Sequence, residues 1–421
     1  MIYYEIRMQK IAPKSMNMLR IPSDLKKTNY VQMKIFINIY FLLFLVVYST
    51  TSVYGQKTIK LDPERMLKGN LQLSDIVESI EYIPLETCDK CLLETIISSR
   101  FVISGNNILI NSQNTMYLFN RSGKFIAQIG RVGQGPGEYL KFHASPLFID
   151  ETNKKVIIYT FYPNRMMYFD FNGRFDRSVP INMKEGLKIW VNDRILSMDA
   201  VQFQPDFTYR IYDSNFQPIA NRIRPLRINR PDPAVAGLVA NMPAGGPFAY
   251  YLFNDRICIR ESVLNDTLYM VDLKSLSFVP KYIIDEGKYA FTSDIIFETN
   301  AKSFFDRSKN CTAISTIFET KDFLFTKYKP GGYSYYSKKQ EQFFSLNSSG
   351  IPNDYDGGPD FWPIYQKNNE LIGFYDAYLF ADNVNKLKPK GPQKTIDQVK
   401  KIIEEIDPED NPIMVVVKLK Q

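Results

Sequence analysis

The chain has 421 residues, 45% of them hydrophobic and 14% aromatic, enough apolar material to bury a large core. Its formal charge of +7 sits mostly ahead of residue 56, because residues 1–55 carry seven basic and two acidic side chains and leave +2 over residues 56–421. That remainder has no Lys/Arg run able to neutralise phosphates, which excludes a nucleic-acid partner. A single histidine, His143, rules out a multi-histidine metal site.

In chain order, the first readable segment is a secretory signal peptide over residues 33–55. Met33-Lys34 supplies a start-like residue and a positive charge, Ile35 to Tyr48 is apolar apart from Asn38, and Ser49 to Gly55 follows with small residues at the third and first places before Gln56. Cleavage after Gly55 leaves Gln56 as the mature N-terminus. The apolar run is shorter than the roughly 20 residues of a membrane anchor, so no stable span is expected after cleavage. No Cys lies near the site, which excludes a lipid attached there through Cys. Residues 1–32 read as an upstream extension from a misassigned start, with a short cytoplasmic tail on a signal anchor as the alternative. The expected location is periplasmic or extracellular, with envelope association left open.

Six polar turns then recur, at Asn106-Asn107, Lys154-Lys155, Asp193-Arg194, Asp255-Arg256, Lys321-Asp322 and Asn368-Asn369. Each leads into a short β-like run such as Ile108-Leu109-Ile110 or Ile257-Cys258-Ile259. Their mean spacing of about 52 residues falls in the range of propeller blades and is long for most helical repeats. The 27 Tyr and 30 Phe, against 2 Trp, suit half-buried pleated surfaces. The expected fold is all-β: a six-bladed β-propeller domain over residues 56–421 with a short C-terminal helix insertion.

Ile76 to Glu86 predicts a leading strand that ends at Pro84 and needs a sheet to join. The first blade is expected from Leu92 to Gly130, with strands at 95–99, 108–111, 116–120 and 125–129 and a tight turn at Asn120-Arg121-Ser122-Gly123. Phe171-Asn172-Gly173 restates that turn in the second. Arg222 to Pro247, rich in Pro, Arg, Ala and Gly, reads as a long loop on one face, and Asp294 to Asn300 as a short helix. Thr395 and Gln398 form a capping-box pattern, with Ile396, Val399, Ile402, Ile403 and Ile406 on one face of a helix that Asp407-Pro408 ends. Ile413 to Leu419 is apolar enough to be a strand paired on both sides.

An exported protein meets an oxidising compartment, so Cys88 and Cys91, a C-x-x-C pair without a second pair at zinc spacing, read as a local disulfide or two free thiols. Cys258 reads as a small core residue and Cys311 as a surface thiol. The string Gly133-Gln134-Gly135-Pro136-Gly137 lacks the Lys-Ser/Thr of a phosphate loop and reads as a turn between blades.

Several strings resemble a known family, the six-bladed β-propeller proteins of Bacteroidota envelopes, related in fold to NHL-like and TolB-like propellers. They are Ile83-Pro84-Leu85-Glu86-Thr87, Gly123-Lys124-Phe125 with Ile129-Gly130, and Gly133-Gln134-Gly135-Pro136-Gly137-Glu138-Tyr139. Gly357-Gly358-Pro359 with Phe361-Trp362-Pro363, and Asp410-Asn411-Pro412, also match. Many members carry a Cys after the signal, which this chain lacks. The resemblance implies the fold and no general reaction.

Candidate chemistry is sparse. His143 would have to serve any Ser-His or Cys-His mechanism, and no Gly-x-Ser-x-Gly elbow accompanies it. Asp354, Asp356 and Asp360 place three carboxylates in a glycine-containing loop of the kind Ca²⁺ takes, with a solvated turn as the plain alternative. Trp362, with Phe361 and Tyr365, could stack on a sugar or belong to the core. Arg222, Arg224, Arg227 and Arg230 could meet an anionic or hydroxyl-rich ligand. The expected function is an exported noncatalytic propeller, without a required cofactor, that binds a protein partner or glycan through loops on one face. The alternative is a cation-dependent hydrolase or lactonase with its site in the central channel.

Overall fold

The computed structural model describes residues 57–420 apart from 94–95, 97–100, 141–143, 184–185, 200–205, 226–247, 262–265, 276, 297, 299, 330–331, 347–349 and 385–386. The chain is mostly β. Three four-stranded antiparallel sheets come first: Phe101–Ile103, Asn107–Ser112, Thr115–Asn120 and Phe125–Ile129; then Ala144–Asp150, Lys155–Thr160, Arg165–Asp170 and Phe175–Pro180; then Gly186–Val191, Arg194–Asp199, Asp206–Tyr212 and Pro218–Pro225. Each places its strands in chain order, as hairpin-connected neighbours do.

A nine-stranded sheet follows, made of two antiparallel halves. One half is Phe248–Phe253, Arg256–Glu261, Thr267–Asp272 and Ser277–Asp285, with Lys57–Lys60 added in parallel at its edge. The other is Tyr365–Lys367, Glu370–Tyr375, Ile413–Leu419 and Val77–Pro84. A single parallel pairing, Leu252 with Lys367, joins the halves. Between them in sequence lies a five-stranded sheet of Ala313–Glu319, Phe323–Lys329, Gly332–Ser337 and Gln342–Ser345, edged in parallel by Leu67–Lys68.

The leading strand finds its sheet at the far end of the chain. Val77–Pro84 pairs antiparallel with Ile413–Leu419, setting Ile80 against Val417 and Tyr82 against Val415. Ile413–Leu419 is central, and its apolar character follows from that position. Ile413, Val415, Val417 and Leu419 enter one core cluster, while Met414 and Val416 enter another.

Five clusters make up the core. One packs the first sheet on the second, through Leu118, Ile129, Ile158 and Phe169; another packs the second on the third, through Tyr159, Met166, Ile195 and Tyr212. A third joins the third sheet to the Phe248–Asp285 half through Leu196, Ile211, Ile257 and Val271. The largest spans that half, the five-stranded sheet and the C-terminal half. The last joins the C-terminal half back to the first sheet, with Met414 and Val416 meeting Phe101 and Ile110.

Local expectations hold with adjustments. The strand paired with Asn107–Ser112 is Phe101–Ile103, while the expected 95–99 strand lies almost wholly outside the described residues. The C-terminal helix runs Gln393–Glu405, capped by Pro392 without a side-chain bond, so the Thr395/Gln398 pattern does not start it. Proline suits a helix start, where a missing N–H costs nothing. Gln398 instead donates to the Tyr82 carbonyl, tying the helix to the leading strand. The short helix expected over 294–300 is Ser293–Ile296, and a second helix, Ala301–Ser308, begins just beyond that range with Asn300 as its N-cap.

Candidate functional site

A buried group of charged and polar side chains centres on Glu319, at the end of Ala313–Glu319 and 1% exposed. The Tyr251 hydroxyl donates to its carboxylate at 2.7 Å, Lys338 donates at 2.6 Å, and Lys281 makes a second ion pair. Gln366 completes the node by treating the backbone of Glu319 as a strand would: its amide oxygen accepts from the Glu319 N–H at 2.8 Å and its amide nitrogen donates to the Glu319 carbonyl at 2.6 Å. Tyr251, Glu319 and Gln366 belong to the leading strands of three successive antiparallel runs, so the node lies where those strands converge.

Burial alone would raise the Glu319 carboxyl, but the ammonium groups of Lys281 and Lys338 outweigh it and hold the carboxyl below its usual range. The same burial lifts the Tyr251 hydroxyl well above normal and pushes the neighbouring Cys258 thiol up to about 11. Glu319 is therefore an anionic anchor occupied by protein donors.

A second buried charge lies on Arg256–Glu261. Arg260, 1% exposed, pairs with Glu286 at 2.7 Å, and the Thr312 hydroxyl donates to the other Glu286 oxygen at 2.8 Å. Among the described residues, the Nε and Nη1 donors of Arg260 have no hydrogen-bond partner.

The acidic loop is built inward. Asp354 accepts from the Ser74 N–H at 2.9 Å and the Ser74 hydroxyl at 2.7 Å, and pairs with Lys390 at 2.7 Å, so it clamps the segment leading to Val77–Pro84. Asp356 accepts from Asn353 at 2.8 Å, the Gly358 N–H at 3.0 Å and the Tyr82 hydroxyl at 3.1 Å, while its second oxygen has no partner among the described residues. Burial raises its carboxyl. Asp360 accepts from the Asn353 N–H at 3.3 Å. Asp354 and Asp356 are thus buried rather than in a solvated turn, and these three do not gather as a ligand set. Among the described residues, no group of three or more His, Cys, Asp or Glu could hold a metal ion.

Trp362 is half-buried among Tyr333, Phe318 and Phe325, with ring centroids 4.7, 5.0 and 6.4 Å away, and its indole N–H has no partner among the described residues. Arg222 and Arg224 correct the long-loop expectation: they lie in Pro218–Pro225, paired with Tyr209 and Phe207. Arg227, Arg230 and His143 lie outside the described residues. Cys311 is buried at 6% exposure, not a surface thiol, and Cys88, Cys91, Cys258 and Cys311 are all free.

The Gly133–Tyr139 string has a structural job. Arg131–Val132 pairs with Glu138–Tyr139, Glu138 accepts from the Gly135 N–H at 2.8 Å, and buried Tyr139 donates to the Ile129 carbonyl at 3.1 Å. The glycines are needed by close approach: a Cβ at Gly137 would stand 2.7 Å from the Phe175 side chain at a φ of +76°. Sequence reasoning missed the Glu319 and Arg260 nodes, since neither has a local signature.

The chain belongs to the family described as a domain of unknown function, DUF4934, whose model matches residues 56–418. No curated protein matches it. Among solved structures it is similar to a Bacteroides fragilis protein described as exported, at 18% identity and a TM-score of 0.60, covering 87% of this chain and 100% of that one; this likeness shows the fold alone. A Bacteroides vulgatus member of the DUF4221 family is 11% identical with a TM-score of 0.43, covering 82% and 98% of the two chains. The WD40 β-propeller domain of Doa1 is 7% identical with a TM-score of 0.34, covering 57% and 64%. Scores of that size carry no argument. Among the described residues, no helix is long and apolar enough to cross a membrane.

Proposed function

We propose that the chain is an exported, noncatalytic six-bladed β-propeller that binds a protein partner or a glycan through loops at one end of its ring. Taking the two halves of the nine-stranded sheet separately gives six antiparallel runs, and the core clusters link each to the next and the last to the first. Such closure hides sheet edges, which is what a propeller needs. Export rests on the signal-like segment at 33–55, and the Bacteroides fragilis protein of similar fold is described as exported.

One observation carries the binding reading. In a four-stranded antiparallel run, the connection into the first strand, the link from second to third, and the exit from the fourth share one end. The connections 85–100, 226–247, 286–312, 346–364 and 376–412 all fall in those positions, whereas the turns at the opposite end, such as 151–154, 254–255 and 368–369, are short. Long connections on a rigid scaffold are where binding residues collect, because they vary without disturbing the core. The charged node where leading strands converge favours this over the hydrolase alternative. A channel cation needs several free carboxylates, and Glu319 is one carboxylate already neutralised by Lys281 and Lys338.

Arg222 and Arg224 precede one of the long connections, Arg227 and Arg230 belong to it by sequence, and the four remain the first residues to test; Trp362 lies in another. The experiment replaces the four arginines by alanine, with Lys154→Ala and Lys321→Ala at the short-turn end as controls, and compares glycan-array and pull-down profiles with wild type. Loss confined to the arginine variant supports the reading; identical profiles for folded arginine and control variants overturn the assignment of that face.

A further inference from the structure

Cys88 and Cys91 flank a turn on the connection that leaves Val77–Pro84. The Cys91 N–H donates to the Cys88 carbonyl at 2.9 Å, with Asp89 and Lys90 exposed between them. A four-residue turn of this kind holds its end Cα atoms within about 7 Å, and disulfides span about 4.4–6.8 Å, so the two cysteines are spaced for a bridge without moving the backbone.

The rest of the connection is held from outside the turn. Asn411, 3% exposed, donates through Nδ2 to the carbonyls of Glu86 at 2.7 Å and Cys91 at 2.8 Å, accepts through Oδ1 from the Leu93 N–H at 2.8 Å, and donates its own N–H to the Thr87 hydroxyl at 2.9 Å. These bonds hold the backbone on both sides of the turn. The two thiols differ in access. Cys91 is buried and its Sγ donates to the Glu86 carbonyl at 3.2 Å, whereas Cys88 is partly exposed. Burial, reinforced by the adjacent Cys88 thiol, pushes the Cys91 thiol up to about 12, so Cys91 is a poor first nucleophile. Cys258 and Cys311 are buried on other elements, which leaves this pair as the exchangeable one.

We propose that Cys88 and Cys91 form a reversible disulfide by exchange with an external disulfide, Cys88 reacting first and Cys91 resolving the mixed intermediate. The Cys88 thiolate attacks one sulfur of the external disulfide and expels the other as a thiolate, giving a mixed disulfide. Cys91 then gives up its proton and attacks Cys88 Sγ, expelling the second external thiolate. Two S–H bonds of the protein become one S–S bond, and two electrons and two protons pass to the external disulfide, which leaves as two thiols. The bridge fixes the turn that links Val77–Pro84 to the first sheet. This inference stands apart from the ligand reading, since it concerns a modification of the connection itself.

The test incubates the full-length protein with glutathione disulfide, then denatures it and counts free thiols by maleimide mass tagging. Wild type is expected to lose two of its four thiols without keeping glutathione, and to regain them with dithiothreitol. Cys91→Ser should retain glutathione on Cys88, and Cys88→Ser should keep all its thiols. Four tags on oxidised wild type, or stable glutathione on wild-type Cys88, would overturn the proposal.

Discussion

The hydroxyl of Tyr251 donates to the carboxylate of Glu319 at 2.7 Å, and neither side chain is open to water. A carboxylate this buried stays charged only because Lys281 and Lys338 face it, so its loss should unbalance three elements at once.

Glu319→Gln keeps the shape and an acceptor but strips Lys281 and Lys338 of their counter-charge. Removing one partner of a fully buried pair costs about 3–5 kcal/mol; since both lysines reach water, the expected loss is on the order of 2 kcal/mol. Because the folded carboxyl is depressed below its ordinary 4.5, its contribution is present above that value and fades as pH falls through the folded pKa. Urea unfolding at pH 7 and pH 3 checks this: the gap between wild type and variant should narrow in acid. An equal gap at both would show that charge is not what the residue contributes.

Asp356 should behave in the opposite sense. Burial raises its carboxyl above the ordinary 3.8, so above that pH the folded state holds its proton more tightly than the unfolded chain and stability falls as pH rises through the window. Asp356→Asn cannot titrate. Its stability relative to wild type should climb as the pH of the measurement is raised from about 4 to about 7. A flat difference across that range in matched melts contradicts the assignment.

Gly123 and Gly173 occupy the same turn in the first two sheets and make the same contact. A Cβ on Gly123, at φ +83°, would lie 2.0 Å from the Pro84 carbonyl oxygen, and one on Gly173, at φ +78°, 2.1 Å from that of Gln128. Each turn thus abuts the outer strand of the preceding sheet. Gly123→Ala and Gly173→Ala should each cost about 2–4 kcal/mol from backbone strain and collision together. Gly105, with open space around it, is the control: Gly105→Ala should change thermal stability by less than about 0.5 kcal/mol.

What could be read in the sequence follows from which signals are local. The six polar turns each precede the second strand of a run, and Lys154, Asn192, Asn254 and Asn368 carry φ values of +51° to +56° there. Turn chemistry of that kind is written in neighbouring residues. The apolar run Ile413 to Leu419 likewise announced burial on both faces. The Glu319 node was not legible, because Tyr251, Lys281, Lys338 and Gln366 are scattered over more than a hundred residues and each alone resembles a surface residue. Arg260 was hidden for the same reason. The acidic loop misled because its carboxylates turn toward Ser74, Tyr82 and Lys390, partners that spacing cannot reveal.

The leading strand yields the last prediction. Val77–Pro84 is an outer strand of the C-terminal half, Gly123 packs on its end, and Gln398 and the Tyr355 hydroxyl bond to the carbonyls of Tyr82 and Glu78. Local contacts cannot hold it, since its partner Ile413–Leu419 lies more than three hundred residues away. Its amides should therefore open only when the whole sheet assembly does. Hydrogen exchange should find Glu81 and Ile83 protected with the same free energy as Val416 and Met414 and as global unfolding by urea, because the register makes Glu81/Val416 and Ile83/Met414 the hydrogen-bonded pairs of one ladder. Val417→Pro removes a ladder donor in the central strand and should lower protection across both strands together. If residues 77–84 instead exchange at a free energy well below the global value, the strand is an appendage to Ile413–Leu419 and not part of one cooperative unit.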